Sequence, residues 1–164
     1  MPHLRPEWDS VTVLVPRHVE RMIRREAARS EDGKETGGIL LGFEDPDGVN
    51  YWVTQAGGPG PNAVRSPVRF VRDLGHAKTL AAKAYEVDGS LWIGDWHTHP
   101  GGPPRLSSTD LNSYRKVLAT SDMHSFLAIL LLPGVEGWRR PLVTGWQITP
   151  REVRSVQLLD LLST

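Results

Sequence analysis

The segment GDWHTHPGGPPRLSSTD, Gly94 to Asp110, gathers most of the side chains in this sequence that could do chemistry together. His97 and His99 stand two residues apart at the end of Leu91–Trp96, an apolar run that reads as a strand. Alternate side chains of a strand leave the same face, so the two imidazoles can converge on one ion. A catalytic zinc site uses three protein ligands and leaves a fourth position to water. Asp110 is the candidate third ligand. The Pro/Gly-rich stretch after His99 can fold the chain back, and a helix starting near Ser107 or Ser108 would aim a first-turn carboxylate at the strand end. An ion held this way lowers the pKa of its water to roughly 7 and supplies hydroxide at neutral pH.

Amide hydrolysis needs one more group, a carboxylate that takes the water's proton and hands it to the leaving amine. Glu35, directly before TGGILLG, is a candidate, and Glu31 in the same charged turn is equally suited on chemistry alone. The hydroxyl of Ser107, three residues before Asp110, could donate to a tetrahedral oxyanion. Ser107 and Asp110 also match a capping-box-like pattern at a helix start, and both roles can coexist. His3, His18, His76 and His124 have no partner at ligand spacing and read as surface or satisfied histidines. H-E-x-x-H, G-x-S-x-G and G-x-x-x-x-G-K-[ST] are absent.

The elements that must position these groups follow from periodicity. SVTVLVP, residues 10–16, reads as a strand closed by Pro16, and Arg17 to Arg29 as a helix with Val19, Met22, Ile23 and Ala27 inward. Gly38–Gly42 and Tyr51–Thr54 predict a hairpin of the central sheet. A Gly/Pro-rich loop and a short strand around Val68–Val71 come next. Asp73 suits a helix N-cap, with Leu74, Ala77, Leu80, Ala81 and Ala84 as the apolar stripe to about Val87. After the histidine segment and a helix to about Thr120, FLAILLL (Phe126–Leu132) predicts a buried central strand with Leu142–Ile148 as its neighbour. PGVEGWRRP, with Trp138, Arg139 and Arg140, reads as a solvated loop, the six tryptophans as core and rim packing, and Thr149–Leu162 as strand or helix. The order β-α-β-β-β-α-β-α-β-β is an α/β domain with a mixed central sheet flanked by helices.

Composition bounds the reading. A chain of 164 residues with 39% hydrophobic residues has room for one domain and one core. Nineteen basic and nineteen acidic residues cancel, so no global field favours nucleic acid or an anionic membrane surface, and no basic patch supports a DNA-repair role. Without cysteine there are no thiolate ligands, nucleophiles or disulfides. The longest apolar run, Phe126–Pro133, is too short to span a bilayer, and MPHLRPEWDS lacks the apolar centre of a signal peptide; the expectation is a soluble, cytoplasmic protein.

Glu35 before TGGILLG, then His97-Thr98-His99 and Ser107-x-x-Asp110, resembles the JAMM (MPN+) metalloprotease motif, E…H-x-H-x(7)-S-x-x-D. The resemblance runs from about Val11 to Ile148 and implies a single MPN domain with a cytidine-deaminase-like fold. It implies one zinc ion on His97, His99 and Asp110, Glu35 rather than Glu31 as acid/base, and Ser107 as the oxyanion donor. GGPGPNA, FVRD and IGDWHTHP are similar to the short prokaryotic branch found beside ubiquitin-activating and ubiquitin-conjugating-like proteins in defence and mobile-element gene clusters. The implied activity is isopeptide cleavage or precursor maturation after the C-terminus of a ubiquitin-like protein, lying extended beside the sheet. Eukaryotic relatives that cut ubiquitin chains grip them with insertions; the linkers Gly57–Pro67 and Pro133–Pro141 are short by comparison and argue against linkage specificity of that kind. Two alternatives stand beside this activity: processing of a sulfur-carrier C-terminus, and a metal-free binding scaffold.

Overall fold

A computed structural model describes residues 10–160. The expectation for His3, and that for the tail beyond Asp160, lie outside the described residues.

Among the described residues, nine strands and three α-helices follow one another. β1 (Val11–Val15) turns Val11, Val13 and Val15 inward, as its alternation predicts. Pro16 then sits at the N-cap of α1 (Arg17–Ala27), its carbonyl accepting the amides of Val19 and Glu20, and Val19, Ile23 and Ala27 bury one stripe. The helix was expected to reach Arg29; it tightens after Ala27 into a 3-10 segment, Ala28–Asp32, which ends at Gly33 in the left-handed conformation. β2 (Gly37–Glu44) and β3 (Asn50–Ala56) form the expected antiparallel hairpin. The next stretch departs from expectation. The short strand is half of a second hairpin, β4 (Val64–Ser66) and β5 (Arg69–Val71), whose first arm lies inside the segment read as loop.

α2 (Leu74–Asp88) is capped by the Asp73 carboxylate, which accepts the amide of His76. Ala77 and Ala84 are buried, whereas Leu74 is 51% exposed because the first turn opens onto a surface groove. β6 (Leu91–Thr98) carries His97 within the strand, and α3 (Ser108–Thr120) follows the Pro/Gly loop. β7 (Phe126–Gly134) and β8 (Gly137–Ile148) are longer than expected and consume the presumed loop: Gly134 pairs with Gly137, and Gly137 adopts φ +62° at the turn. Trp138 is therefore no loop residue. It is 9% exposed and packs with the main core, while Arg139 and Arg140 remain exposed. β9 (Val153–Asp160) resolves the tail as a strand.

The sheet runs β1-β3-β2-β6-β7-β8-β9 and closes because β9 also pairs, in parallel, with β1. Pairing is mixed: β6–β7, β1–β3 and β1–β9 are parallel and the rest antiparallel. Inside, Leu40, Trp96, Leu127, Ile129 and Leu131 pack on the stripe of α1. Outside, α2 covers Ile39 and Leu41, and α3 covers Phe126, Ala128 and Ile148. The central strands are thus buried on both faces, which is why FLAILLL shows no alternation. Among the described residues, no helix is long and apolar enough to cross a membrane.

Candidate metal centre

The geometry of the site begins with the register of two strands. β2 runs antiparallel to β6 with Gly37 opposite His97 and Gly38 opposite Trp96. Continued two residues before the start of β2, the same register sets Thr36 opposite Thr98, where the Thr98 amide donates to the Thr36 carbonyl at 2.9 Å, and Glu35 opposite His99. Glycine is required at this crossing. A Cβ at Gly37 would lie 2.3 Å from the Trp96 carbonyl oxygen, and one at Gly38 would lie 1.9 Å from that of Gly57.

His97 and His99 leave the outer face of β6, and the start of α3 brings Asp110 to meet them. Ser107 caps α3: its hydroxyl accepts the Asp110 amide at 3.0 Å, and Asp110 Oδ2 accepts the Ser107 amide at 2.8 Å. This capping box holds the carboxylate against the strand end. His97 Nε2 and His99 Nε2 are 3.0 Å apart, and Asp110 Oδ2 is 3.4 Å from the first and 3.3 Å from the second. The circle through three atoms so spaced has a radius of about 1.9 Å, close to the ~2.0–2.1 Å that zinc keeps from nitrogen and carboxylate oxygen.

Two further contacts aim the imidazoles. His99 Nδ1 faces the Pro103 carbonyl at 3.2 Å; a carbonyl only accepts, so Nδ1 carries the proton and Nε2 keeps its lone pair for the centre. His97 Nδ1 lies 3.3 Å from the hydroxyl of Tyr114, a buried residue one helical turn beyond Asp110 that stacks on Phe126. Tyr114 was missed in the sequence, although the i, i+4 spacing from Asp110 marks it. The Pro103 carbonyl left no sequence signal.

Glu35 is 7% exposed, and its Oε1 lies 3.8 Å from His99 Nε2. Burial, opposed by His99 and reinforced by Asp110, pushes its carboxyl up to about 7. Asp110 goes the other way: burial works against it, but hydrogen bonds with His97 and His99 hold its carboxyl well below the usual range. His99 is raised; burial opposes this, and the Asp110 and Pro103 contacts prevail. Glu31 is exposed in the 3-10 segment. The backbone of Glu35 is clamped by the β4–β5 hairpin, its amide donating to the Ser66 carbonyl at 2.8 Å and its carbonyl accepting from Arg65 Nε at 3.0 Å. Of the other histidines, His18 is exposed with Nε2 2.8 Å from the Thr54 carbonyl, His124 is exposed and His76 half-buried. Among the described residues, the metal-competent cluster is His97, His99 and Asp110.

The sequence profile described as prokaryotic homologs of the JAB domain matches residues 16–148. The chain belongs to this family. A JAB-family assignment agrees with the relatives. The chain is 30% identical over 133 residues to a probable metalloprotease, y4qB, of Sinorhizobium fredii, covering 77% of this chain and 79% of that protein. It is 28% identical over 100 residues to a CD-NTase/cGAS isopeptidase of Enterobacter hormaechei and 29% over 97 residues to one of Vibrio cholerae. Those matches cover 61% and 58% of this chain but only 55% and 61% of the two isopeptidases, so the chain spans little more than half of their length. The solution structure of protein DSY2949 from Desulfitobacterium hafniense superposes with a TM-score of 0.67 at 19% identity over 92% of both chains, a likeness of fold.

Proposed function

We propose that the chain is a zinc metalloisopeptidase that hydrolyses the amide bond after the C-terminus of a ubiquitin-like protein, freeing it from a conjugate or a precursor. The observation that carries this reading is the convergence of His97 Nε2, His99 Nε2 and Asp110 Oδ2 with a buried Glu35 carboxylate facing them. Zinc on the two imidazoles and the carboxylate would supply a Lewis acid and a water of lowered pKa. Glu35 Oε1 stands 3.8 Å from His99 Nε2, too far for a direct hydrogen bond and near enough to the centre to take a proton from a water held there. Its raised pKa suits a group that accepts the water's proton and then gives it to the leaving amine nitrogen as the C–N bond breaks. Ser107 spends its oxygen lone pair on the Asp110 amide but keeps its own proton, which is free to donate to the oxyanion.

Two relatives are named isopeptidases, which supports cleavage of an isopeptide bond; a ubiquitin-like substrate, with operon-encoded activating and conjugating-like enzymes as partners, is our own assignment. The β4–β5 hairpin that clamps Glu35 also exposes Val64 and Val68, an apolar rim suited to an extended tail. The test is hydrolysis of a bacterial ubiquitin-like protein joined through its C-terminal glycine to the lysine of a fluorescent peptide. Wild type should cleave it, and chelated protein and Glu35→Ala should not. Cleavage that survives chelation or Glu35→Ala overturns the reading, and trimming of a sulfur-carrier tail without action on the lysine bond would redirect it to carrier processing.

A further inference from the structure

Thr98 lies between the two histidines and is fully buried. Its side chain leaves β6 on the face opposite the imidazoles, toward the 3-10 segment. There Thr98 Oγ1 accepts the Thr36 amide at 2.9 Å and lies 2.7 Å from Ser30 Oγ. Ser30 donates its only proton to the Lys34 carbonyl at 2.7 Å, so Thr98 must be the donor between the two hydroxyls. The Thr36 carbonyl, 3.3 Å from Thr98 Oγ1, is a weaker second acceptor for that proton. The chain of donors therefore runs one way: Thr36 amide to Thr98, Thr98 to Ser30, Ser30 to the Lys34 carbonyl.

Both neighbours of Glu35 are tied in this way to the residue flanked by the metal-competent histidines. Lys34, Glu35 and Thr36 precede β2; the ladder reaches Thr36 through the Thr98 amide, which donates to its carbonyl at 2.9 Å, and does not hold Lys34 or Glu35. Arg65 and Ser66 hold Glu35 from the other side but are themselves half-buried, whereas Ser30, Thr36 and Thr98 are at most 2% exposed. Dry hydrogen bonds of this kind are electrostatically stronger and costly to leave half-made.

We propose that Thr98 is a positioning residue that sets where the Glu35 carboxylate stands relative to His97, His99 and Asp110, so that a single strand fixes both the metal ligands and the proton carrier. This rests on the reading of Glu35 as proton carrier. The experiment compares Thr98→Val, which keeps shape and loses both hydrogen-bonding functions, with Thr98→Ser, which keeps the hydroxyl. Backbone hydrogen exchange of the metal-free protein is the first readout, zinc affinity by chelator competition the second, and kcat and KM the third. Thr98→Val should raise exchange at Glu35 and Thr36 by about 10-fold or more. It should leave zinc affinity within about 3-fold of wild type, less than the 10–100-fold loss typical of removing a ligand's own support. It should lower kcat by about 10-fold with KM little changed, and add no loss in a Glu35→Gln background. Thr98→Ser should restore all three. Unchanged exchange in Thr98→Val overturns the proposal, and so does a zinc-affinity loss as large as the kcat loss, which would make Thr98 a support for the ligands instead. If Thr98→Val does not fold, Ser30→Ala breaks the same chain one link on and should raise exchange at Glu35; no change there overturns the proposal equally. Exchange and zinc binding do not depend on hydrolysis, so intact activity in Glu35→Gln would sink the functional reading separately.

Discussion

Glu35 and Asp110 are both carboxylates beside the same imidazoles, yet their environments drive them apart. Asp110 sits in a capping box with two histidine contacts and stays ionised, while Glu35 is buried without such contacts and has a raised pKa. Glu35→Gln should therefore lower kcat by about 10²- to 10⁴-fold, the range for a lost general acid/base, and leave zinc stoichiometry unchanged. The split separates base from ligand and is read by steady-state kinetics beside metal analysis. Tyr114→Phe keeps the stacking on Phe126 and removes only the hydroxyl at His97; zinc affinity should fall by about 10-fold, measured by chelator competition. The meeting of His97, His99 and Asp110 and the Ser107 cap were legible because strand alternation and helix-start spacing are local rules. The place of Glu35 rather than Glu31 beside them was not legible in the residues alone and came only from the family resemblance. It depends on β2–β6 register and on Arg65 and Ser66, contacts between residues about thirty apart or more that no periodicity reports.

The β7–β8 hairpin shows where periodicity reads an element wrongly. Pro133, Gly134 and Gly137 are turn formers, and with two arginines beside them PGVEGWRRP looks like solvated loop. The glycines instead build a tight connection, and the strand resumes at once, dropping Trp138 into the core under α1. Trp138→Ala should cost about 3–5 kcal/mol in denaturant unfolding, whereas Arg139→Ala should stay within about 0.5 kcal/mol. Equal, small effects would restore the loop reading. The β4 arm was hidden for a related reason: three residues between Pro61 and Pro67 are too few to show alternation, and its pairing with β5 is decided by the turn. The helices were more legible, since apolar stripes and the Asp73 and Ser107 caps are set within one turn of chain.

Closure of the sheet by β9 on β1 leaves β2, β6 and β7 enclosed between α1 inside and α2 and α3 outside, so the site rests on the most buried strands of the molecule. The closure itself was not legible, because β1 and β9 stand at opposite ends of the sequence. Building a polar centre on that scaffold couples stability to pH. With its folded pKa raised from 4.5 to about 7, Glu35 keeps a proton the unfolded chain has released, so its contribution is full below about 4.5 and lost as pH rises to about 7. His99, also raised, adds in the same direction near its own ordinary range, whereas Asp110, depressed, withdraws stability only as pH falls below about 3.8. The metal-free protein should accordingly lose of order 2–3 kcal/mol between pH 5 and pH 8, and Glu35→Gln should flatten that slope in thermal melts. Zinc, binding only the folded state, should reverse the loss by about 2.7 kcal/mol at a hundredfold excess over Kd. The most direct test of the whole account is equilibrium zinc titration of metal-stripped protein with elemental analysis. One ion per chain in wild type and in Glu35→Gln, and none in Asp110→Ala, is the expected result; wild type that takes up no stoichiometric zinc would contradict it.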